Sequence, residues 1–331
     1  MVLSPLSSYP EISVWQLFLQ KVIYWTNVYC NFLIFPYYIG SNIFLSKNQS
    51  VFIEVIPFGG SIDNEGLTYF VRNELAESIQ IGCLVEVPFR NAVDYALVTR
   101  IDSSKIPESP KSIVRIITSI PLLTPYQIES IFDSSTYYFI HAHHILSLFL
   151  SKTLVKYLEK QNFKALTARA LIQENIPNNI IRFYHHTSDA SFIESLQSHI
   201  LPSTVIVFPD DFFLDTFLKY SPINPETTLV VPDALTETKK HKAYISVYNG
   251  EKNIIIWTRR ILYYNLSHYD HIVYIEDALH KTAMRFNHTY KHLEILRGMA
   301  SKSHLQITIF SSLPSIESIY LLHTGIYKKI T

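Results

Sequence analysis

The chain has 331 residues, enough for two ordinary cores, since single cores stop growing at about 250 to 300 residues. Lysine plus arginine equals aspartate plus glutamate at 28 each, so no global positive field marks a nucleic-acid partner. Two cysteines, Cys30 and Cys83, exclude a disulfide framework or zinc cluster and fit a reducing cytoplasm, and only 8 glycines argue against phosphate-cradling loops.

Residues 1–50 read as an apolar N-terminal extension. No charge falls between Lys21 and Lys47, and residues 22–45 could cross a bilayer core of about 30 Å. Thr26, Asn27, Asn31 and Pro36 interrupt that run, and tyrosines replace the leucines expected at mid-depth. A membrane segment, an amphipathic extension and a translated leader stay open; a secretory signal does not, because no small-residue cleavage site follows.

From Val51 the text becomes short strands and turns. VFIEVIPF alternates like a half-buried strand, and Gly59-Gly60 with Asp63-Asn64 marks a turn before a strand at residues 67–71. IGCLVEVPF (residues 81–89) and residues 95–101 follow as strands of a small twisted β-domain. Residues 105–110 form a proline-bearing loop, and Thr124 caps a helix that has Pro125 at its first position. Helices are expected over residues 125–134 and 143–159, with a further helical stretch, LEKQNFKALTARALIQENI, to residue 176.

The second half keeps an α/β rhythm. IIRFYHHTSDASFIESLQSHI reads as strand, loop and helix; STVIVFPDDFFLDTFLKY gives a buried strand at residues 205–208, a Pro209-Asp210 turn and a helix. TTLVVPDAL and NIIIWTRRILYYNL carry further strands. HIVYIEDAL is a buried parallel strand whose carboxyl end delivers Glu276 and Asp277 to a crevice, the place of a magnesium-binding acid in nucleoside triphosphatases. IFSSLPSIESIYLLHTGIY closes the chain.

The 14 histidines invite a metal reading at His141, His143 and His144, at His185 and His186, and at His288 with His292 in helical spacing. No carboxylate or cysteine completes a recognised pattern, so surface and loop histidines are the default and no metal ligand is assigned. His185 and His186 beside Ser188 and Asp189 do not make a triad, whose members normally meet from different strand ends.

The order of these strands, with Gly82, Cys83, Val85, Val87, Pro88 and Phe89 and then LLTPYQI, resembles the primosomal replication-restart helicase family, PriA or primosomal protein N′. Later motifs resemble it too: Thr258-Arg259, the Glu276-Asp277 pair, and Ser311, Pro314, Ser315, Glu317, Ser318, Tyr320, Gly325 and Tyr327. The resemblance implies an α/β architecture: a small β-rich 3′-DNA-binding domain at residues 51–160, then one degenerate RecA-like lobe of the P-loop type at residues 161–331.

In that family a pocket for the 3′ end of a strand is built from the Phe-Asp pair of a Phe-Asp-Tyr segment and the glycine after Pro-Phe. Here those places hold Leu67, Thr68, Tyr69 and Arg90; arginine brings bulk and a charge suited to phosphate. Residues 51–160 carry 9 basic and 12 acidic side chains, so DNA binding there needs a local patch. Thr258 and Arg259 match the family's Thr-Arg pair on the DNA-facing side, which makes Arg259 and Arg260 the candidates for phosphate contacts, with ordinary solvated arginines as the alternative.

The family's phosphate loop falls on Ser188, Asp189, Ala190 and Ser191, where lysine has become Ala190 and a glycine has become Asp189. Glu276 and Asp277 keep the acids in swapped order, while Leu279 and Leu313 replace the coupling histidine and threonine. No second lobe or zinc-binding cysteine cluster follows. The expectation is a non-catalytic, cytoplasmic DNA-binding protein of bacterial type, with no catalytic residue, no ATP, magnesium or zinc, and forked or single-stranded DNA and replication or primosome proteins as partners. The alternatives are a membrane-tethered or protein-interaction scaffold with a vestigial helicase fold and, weaker, an ATP-dependent DNA helicase.

Overall fold

The computed structural model describes residues 51–60, 66–101, 108–166, 181–186, 189–221, 223–258, 263–276, 283–285 and 288–330. Expectations for the extension, and for Ser188, Arg259, Arg260 and Asp277, lie outside the described residues. Residues 48–331 form one compact unit.

Its first sheet is antiparallel. Strands β1 (Val51–Pro57), β2 (Leu67–Val71), β3 (Leu84–Phe89), β4 (Ala92–Ile101) and β5 (Arg115–Thr118) lie in the order β2-β1-β4-β3-β5. The expected half-burial of β1 is corrected: six of its seven residues are buried, because the sheet is covered on both sides. Ile53 and Val55 join Tyr69, Val85, Val87 and Val98 in one cluster, while Ile56, Leu84 and Leu97 pack into the larger core opposite.

IGCLVEVPF does not run as one strand; residues 81–83 turn before β3 begins at Leu84. Gly82 makes that turn at φ +88°, and a Cβ there would lie 2.1 Å from the Leu123 carbonyl oxygen. A short helix, α1 (Asn73–Ala76), and β5 had no clear signal in the text.

Helix α2 (Pro125–Tyr138) opens as expected: Thr124 and Gln127 make a reciprocal capping box with proline at the first turn. It runs four residues beyond the expected end and stops at Phe139, whose φ of 54° is left-handed. The expected helix at residues 143–159 is two, α3 (Ala142–Phe149) and α4 (Lys152–Lys160). Leu150 is extended, and the Ser151 hydroxyl accepts from Leu154 N to start α4 afresh. The expected helical continuation fails after Lys160: residues 161–166 are turns, and residues 167–180 lie outside the description.

The second sheet is parallel. β6 (Ile181–His185), β7 (Thr204–Phe208), β8 (Thr228–Val231), β9 (Ile254–Thr258), β10 (His271–Glu276), β13 (Gln306–Ser311) and β14 (Tyr327–Ile330) lie in the order β14-β6-β13-β10-β7-β9-β8. Its strands read as apolar runs because both faces are covered. The helices are α5 (Asp189–Ser198), α6 (Asp211–Tyr220), α7 (Glu237–Asn249), α8 (His292–Ala300) and α9 (Ile316–His323). This is the RecA-like α/β lobe that the resemblance implies. A separate hairpin, β11 (Ala283–Arg285) with β12 (His288–Tyr290), corrects the helical spacing of His288 and His292: the first lies in a strand, the second opens α8.

One core runs through both sheets. It contains Ile56, Leu84 and Leu97 of the first sheet, Ile131, Leu146 and Leu158 of the helices, and Val207, Trp257 and Ile309 of the second.

Candidate nucleic-acid interface

Strands β3 and β4 are joined by the two-residue turn Arg90-Asn91. Arg90 is exposed and has φ 53°, the left-handed region that suits glycine. The backbone therefore keeps a glycine-like shape at the place where the resemblance puts glycine, and hangs a guanidinium on it. That guanidinium lies over the Phe89 ring, 5.2 Å from its centroid.

The neighbours of this turn come from several elements. A Cβ on Gly60 would lie 3.5 Å from His143 Nε2, and one on Gly59 would lie 2.6 Å from Asp94 Oδ2, so the end of β1, the β3–β4 hairpin and α3 meet there. Asp94 accepts from Lys152 Nζ at 2.8 Å through Oδ1; its buried Oδ2 meets no partner among the described residues. His143 stacks on His141, ring centroids 5.7 Å apart, and lies 4.0 Å from His144. Burial, the adjacent His144 and His141, and the positive charge of Arg90 push His143 down to about 4, so this imidazole is neutral at physiological pH.

Among the residues expected at a strand-end pocket, the structure brings Arg90 and Tyr69 to the same β3 end but gives them different tasks. Tyr69 is buried, and its hydroxyl donates to the Pro88 carbonyl at 2.9 Å, so it pins β2 to the strand end. Burial, then Asp94, raises the Tyr69 hydroxyl pKa. Leu67 is half-buried against the smaller core, and Thr68, half-buried, stands opposite Glu54 on β1. The histidines beside Arg90 were legible as a cluster, but nothing in the spacing tied residue 143 to residue 90.

At the carboxyl rim of the parallel sheet, Glu276 ends β10 and is buried. Its Oε1 accepts from the Ser315 and Ser318 hydroxyls, each at 2.7 Å. Ser315 also caps α9, accepting from Ser318 N, so the carboxylate fastens that helix to the strand end. Glu276 Oε2, Ser311 Oγ and Thr258 Oγ1 are buried without a partner among the described residues. Asp189, Ala190 and Ser191 open α5 rather than lying in a loop, leaving residues 186–188 between β6 and that helix. Cys83 is buried in the first sheet, and desolvation pushes its thiol up to about 11, which leaves it an inert core residue.

No described helix is long and apolar enough to cross a membrane, and no described group of three or more histidine, cysteine, aspartate or glutamate residues is placed to hold a metal ion. No curated protein sequence matches the chain. Two solved structures align at 12% identity: the UvsW helicase from bacteriophage T4, over 53% of this chain and 58% of that one at TM-score 0.31, and the C-terminal domain of the DEAD-box protein Dbp5, over 47% and 90% at TM-score 0.32. The chain thus spans little more than half of the UvsW structure. Residues 60–151 match the family model of the PriA 3′DNA-binding domain (3′BD). The stretch from the Gly59-Gly60 turn through α3 is therefore similar to the 3′DNA-binding domain of PriA, and it stands ahead of a RecA-like lobe.

Proposed function

We propose that this chain binds DNA strands, at forks or as single strands, through the face around Arg90, and does so without ATP. The match of residues 60–151 to the PriA 3′DNA-binding domain carries the reading. Arg90 supplies the local cation that a domain of net negative charge needs, and its guanidinium suits a phosphate in a bidentate contact. A role in replication restart in the cytoplasm, beside other replication proteins, is the biological form of this reading.

Two features support binding without hydrolysis. The second residue of α5 is Ala190, which offers no charge to a β- or γ-phosphate. Glu276, the described acid at the rim, has one oxygen already engaged by two serine hydroxyls. An uncharged Ala190 and a carboxylate whose Oε1 is held by two serines leave less to hold a magnesium nucleotide than a phosphate loop with lysine would. The apolar stripe Leu313, Ile316, Ile319 and Tyr320 on and before α9 favours a second reading, a protein-interaction scaffold.

The test is a fluorescence-anisotropy titration with forked DNA ending in 3′-hydroxyl or 3′-phosphate, with and without ATP, on wild type and Arg90→Gly. Binding at low salt that ignores ATP and weakens about tenfold in the variant is expected, one lost charged contact being worth about 1.5–3 kcal/mol. Absence of binding to every fork and single strand would leave the scaffold reading. ATP turnover lost on Glu276→Gln would restore the helicase.

A further inference from the structure

Five non-glycine residues among those described have left-handed backbone: Arg90, Phe139, Asn162, Phe163 and Ser203. Phe163 recovers that cost by burial in the core, but Phe139 is 87% exposed. The left-handed backbone caps α2, the Phe139 N–H reaching the Ser135 and Thr136 carbonyls, but a large aromatic ring at such a cap, contributing almost nothing to the core, is not explained by folding. Its surroundings show why it stands out. Ile140 and Ala142 turn inward and are buried, while Phe139 and His141 project to solvent between them. The α2–α3 corner is thus anchored by alternate residues and presents rings with the others.

Those rings continue toward the hairpin turn. His141 stacks nearly parallel on His143, at 21° between planes, and His143 borders the Gly59-Gly60 turn, 3.5 Å from a Cβ placed on Gly60, while a Cβ on Gly59 would lie 3.5 Å from the Phe89 ring that carries Arg90. Tyr137, exposed, lies two residues back on α2 and meets Tyr138 edge-on at 4.8 Å. An exposed phenyl ring two residues from a stacked pair of imidazoles, with an arginine beyond them, has the composition of a single-strand stacking platform, where every base offers a π-face and the backbone phosphate meets the cation. A protein partner's apolar surface would gain little from upright imidazoles, and the charge at the end of the row selects a polyanion.

We propose that the exposed rings of Phe139 and His141, continued by His143 toward Arg90, form a stacking track for the unpaired bases of a single strand whose phosphate Arg90 holds. This rests on the reading that the chain binds DNA, and extends it from one contact point to a second subsite on the α2–α3 corner. The track is indifferent to base sequence, because stacking reads no hydrogen-bond pattern, and it serves only strands long enough to pass from the hairpin turn to the corner.

The experiment uses the full chain and two fluorescent oligothymidylates, one of about 2 nucleotides and one of about 10, bracketing the length needed to occupy a single-strand site. Phe139→Gly removes the ring and relieves the left-handed backbone, so the variant melts at the same temperature as wild type or higher. Its affinity for the long strand falls about tenfold and for the short one stays level, as loss of one stacked base requires. Phe139→Tyr restores the long-strand affinity, and His141→Ala repeats the loss. If wild type binds the long strand and Phe139→Gly binds it equally well, or loses both strands alike, the track is overturned while DNA binding stands. If wild type binds no oligothymidylate at all, the track is overturned, and the DNA-binding reading then stands or falls on the forked-DNA titration.

Discussion

Gly82 and Arg90 bracket strand β3 with the same sign of φ, and for opposite reasons. At Gly82 the constraint is space: the Leu123 carbonyl oxygen occupies the position of a Cβ, at 2.1 Å, and Leu122 N donates to the Gly82 carbonyl at 2.8 Å. Gly82→Ala must move the chain ahead of α2, and a loss of about 2–3 kcal/mol in urea denaturation is expected from backbone strain and clash together. Arg90 is instead exposed at a hairpin tip. Arg90→Gly should stabilise the fold by up to about 1 kcal/mol, since the left-handed penalty for a side chain disappears. Stability and DNA affinity then move in opposite directions in one variant, as expected of a side chain kept for binding. The sequence makes Gly82 and Arg90 visible as a matched and an altered place in a motif, but not that Arg90 has kept the glycine conformation, which depends on the turn between two paired strands.

Strand β10 shows how one element carries different demands at its two ends. Its middle, Ile272 to Ile275, is buried between β7 and β13, so its apolar, β-branched text could be recognised at once. At the far end Glu276 is tied to Ser315 and Ser318, a pairing that depends on the start of α9, 39 and 42 residues away, and so was not legible from spacing. At the near end His271 sits 2.9 Å from Thr308 Oγ1 on β13. Burial, with His199 and then Arg182 beside it, pushes His271 down to about 4. The unfolded imidazole takes its proton near pH 6.5, so the unfolded state binds more protons below that value. Stability contributed here is complete above about pH 6.5 and is lost as the pH falls towards about 4. Urea midpoints measured across that window should fall with acid, and His271→Gln should flatten the decline relative to wild type. Helices α7 and α8 were less visible than β10. The first begins Glu-Thr-Lys-Lys-His-Lys with little apolar period, and its stop is fixed by Gly250, left-handed at φ 64°.

At the scale of the whole molecule, the order of strands was readable as two architectures in succession, a short antiparallel sheet and then a parallel one, because the text changes from strand–turn to strand–helix spacing. What the text could not reveal is that the two sheets share a core. Tyr248 on α7 donates to the Pro121 carbonyl at 2.8 Å, and Gln127, inside the capping box of α2, donates to the Tyr264 carbonyl at 2.7 Å. Lys302 pairs with Asp133 and Glu129 across α2 and the end of α8. On the first sheet, Arg115 bridges Glu86 and Glu159 while Tyr95 donates to Glu159 at 2.6 Å, holding α4 down; that bond, then burial, raises the Tyr95 hydroxyl to about 12. Surface ion pairs contribute little alone, whereas a continuous apolar core removes the free-energy step between opening one sheet and opening the other. Native-state hydrogen exchange on the full chain should therefore give the slowest amides of β3 and of β10 the same opening free energy. Gln127→Ala exposes the coupling directly: it leaves a partly buried carbonyl without its Gln127 donor and should lower both sets together by about 1–2 kcal/mol. If β3 opened at a distinctly lower free energy than β10, or if Gln127→Ala lowered one set alone, the two sheets would be separate folding units joined only at their surfaces.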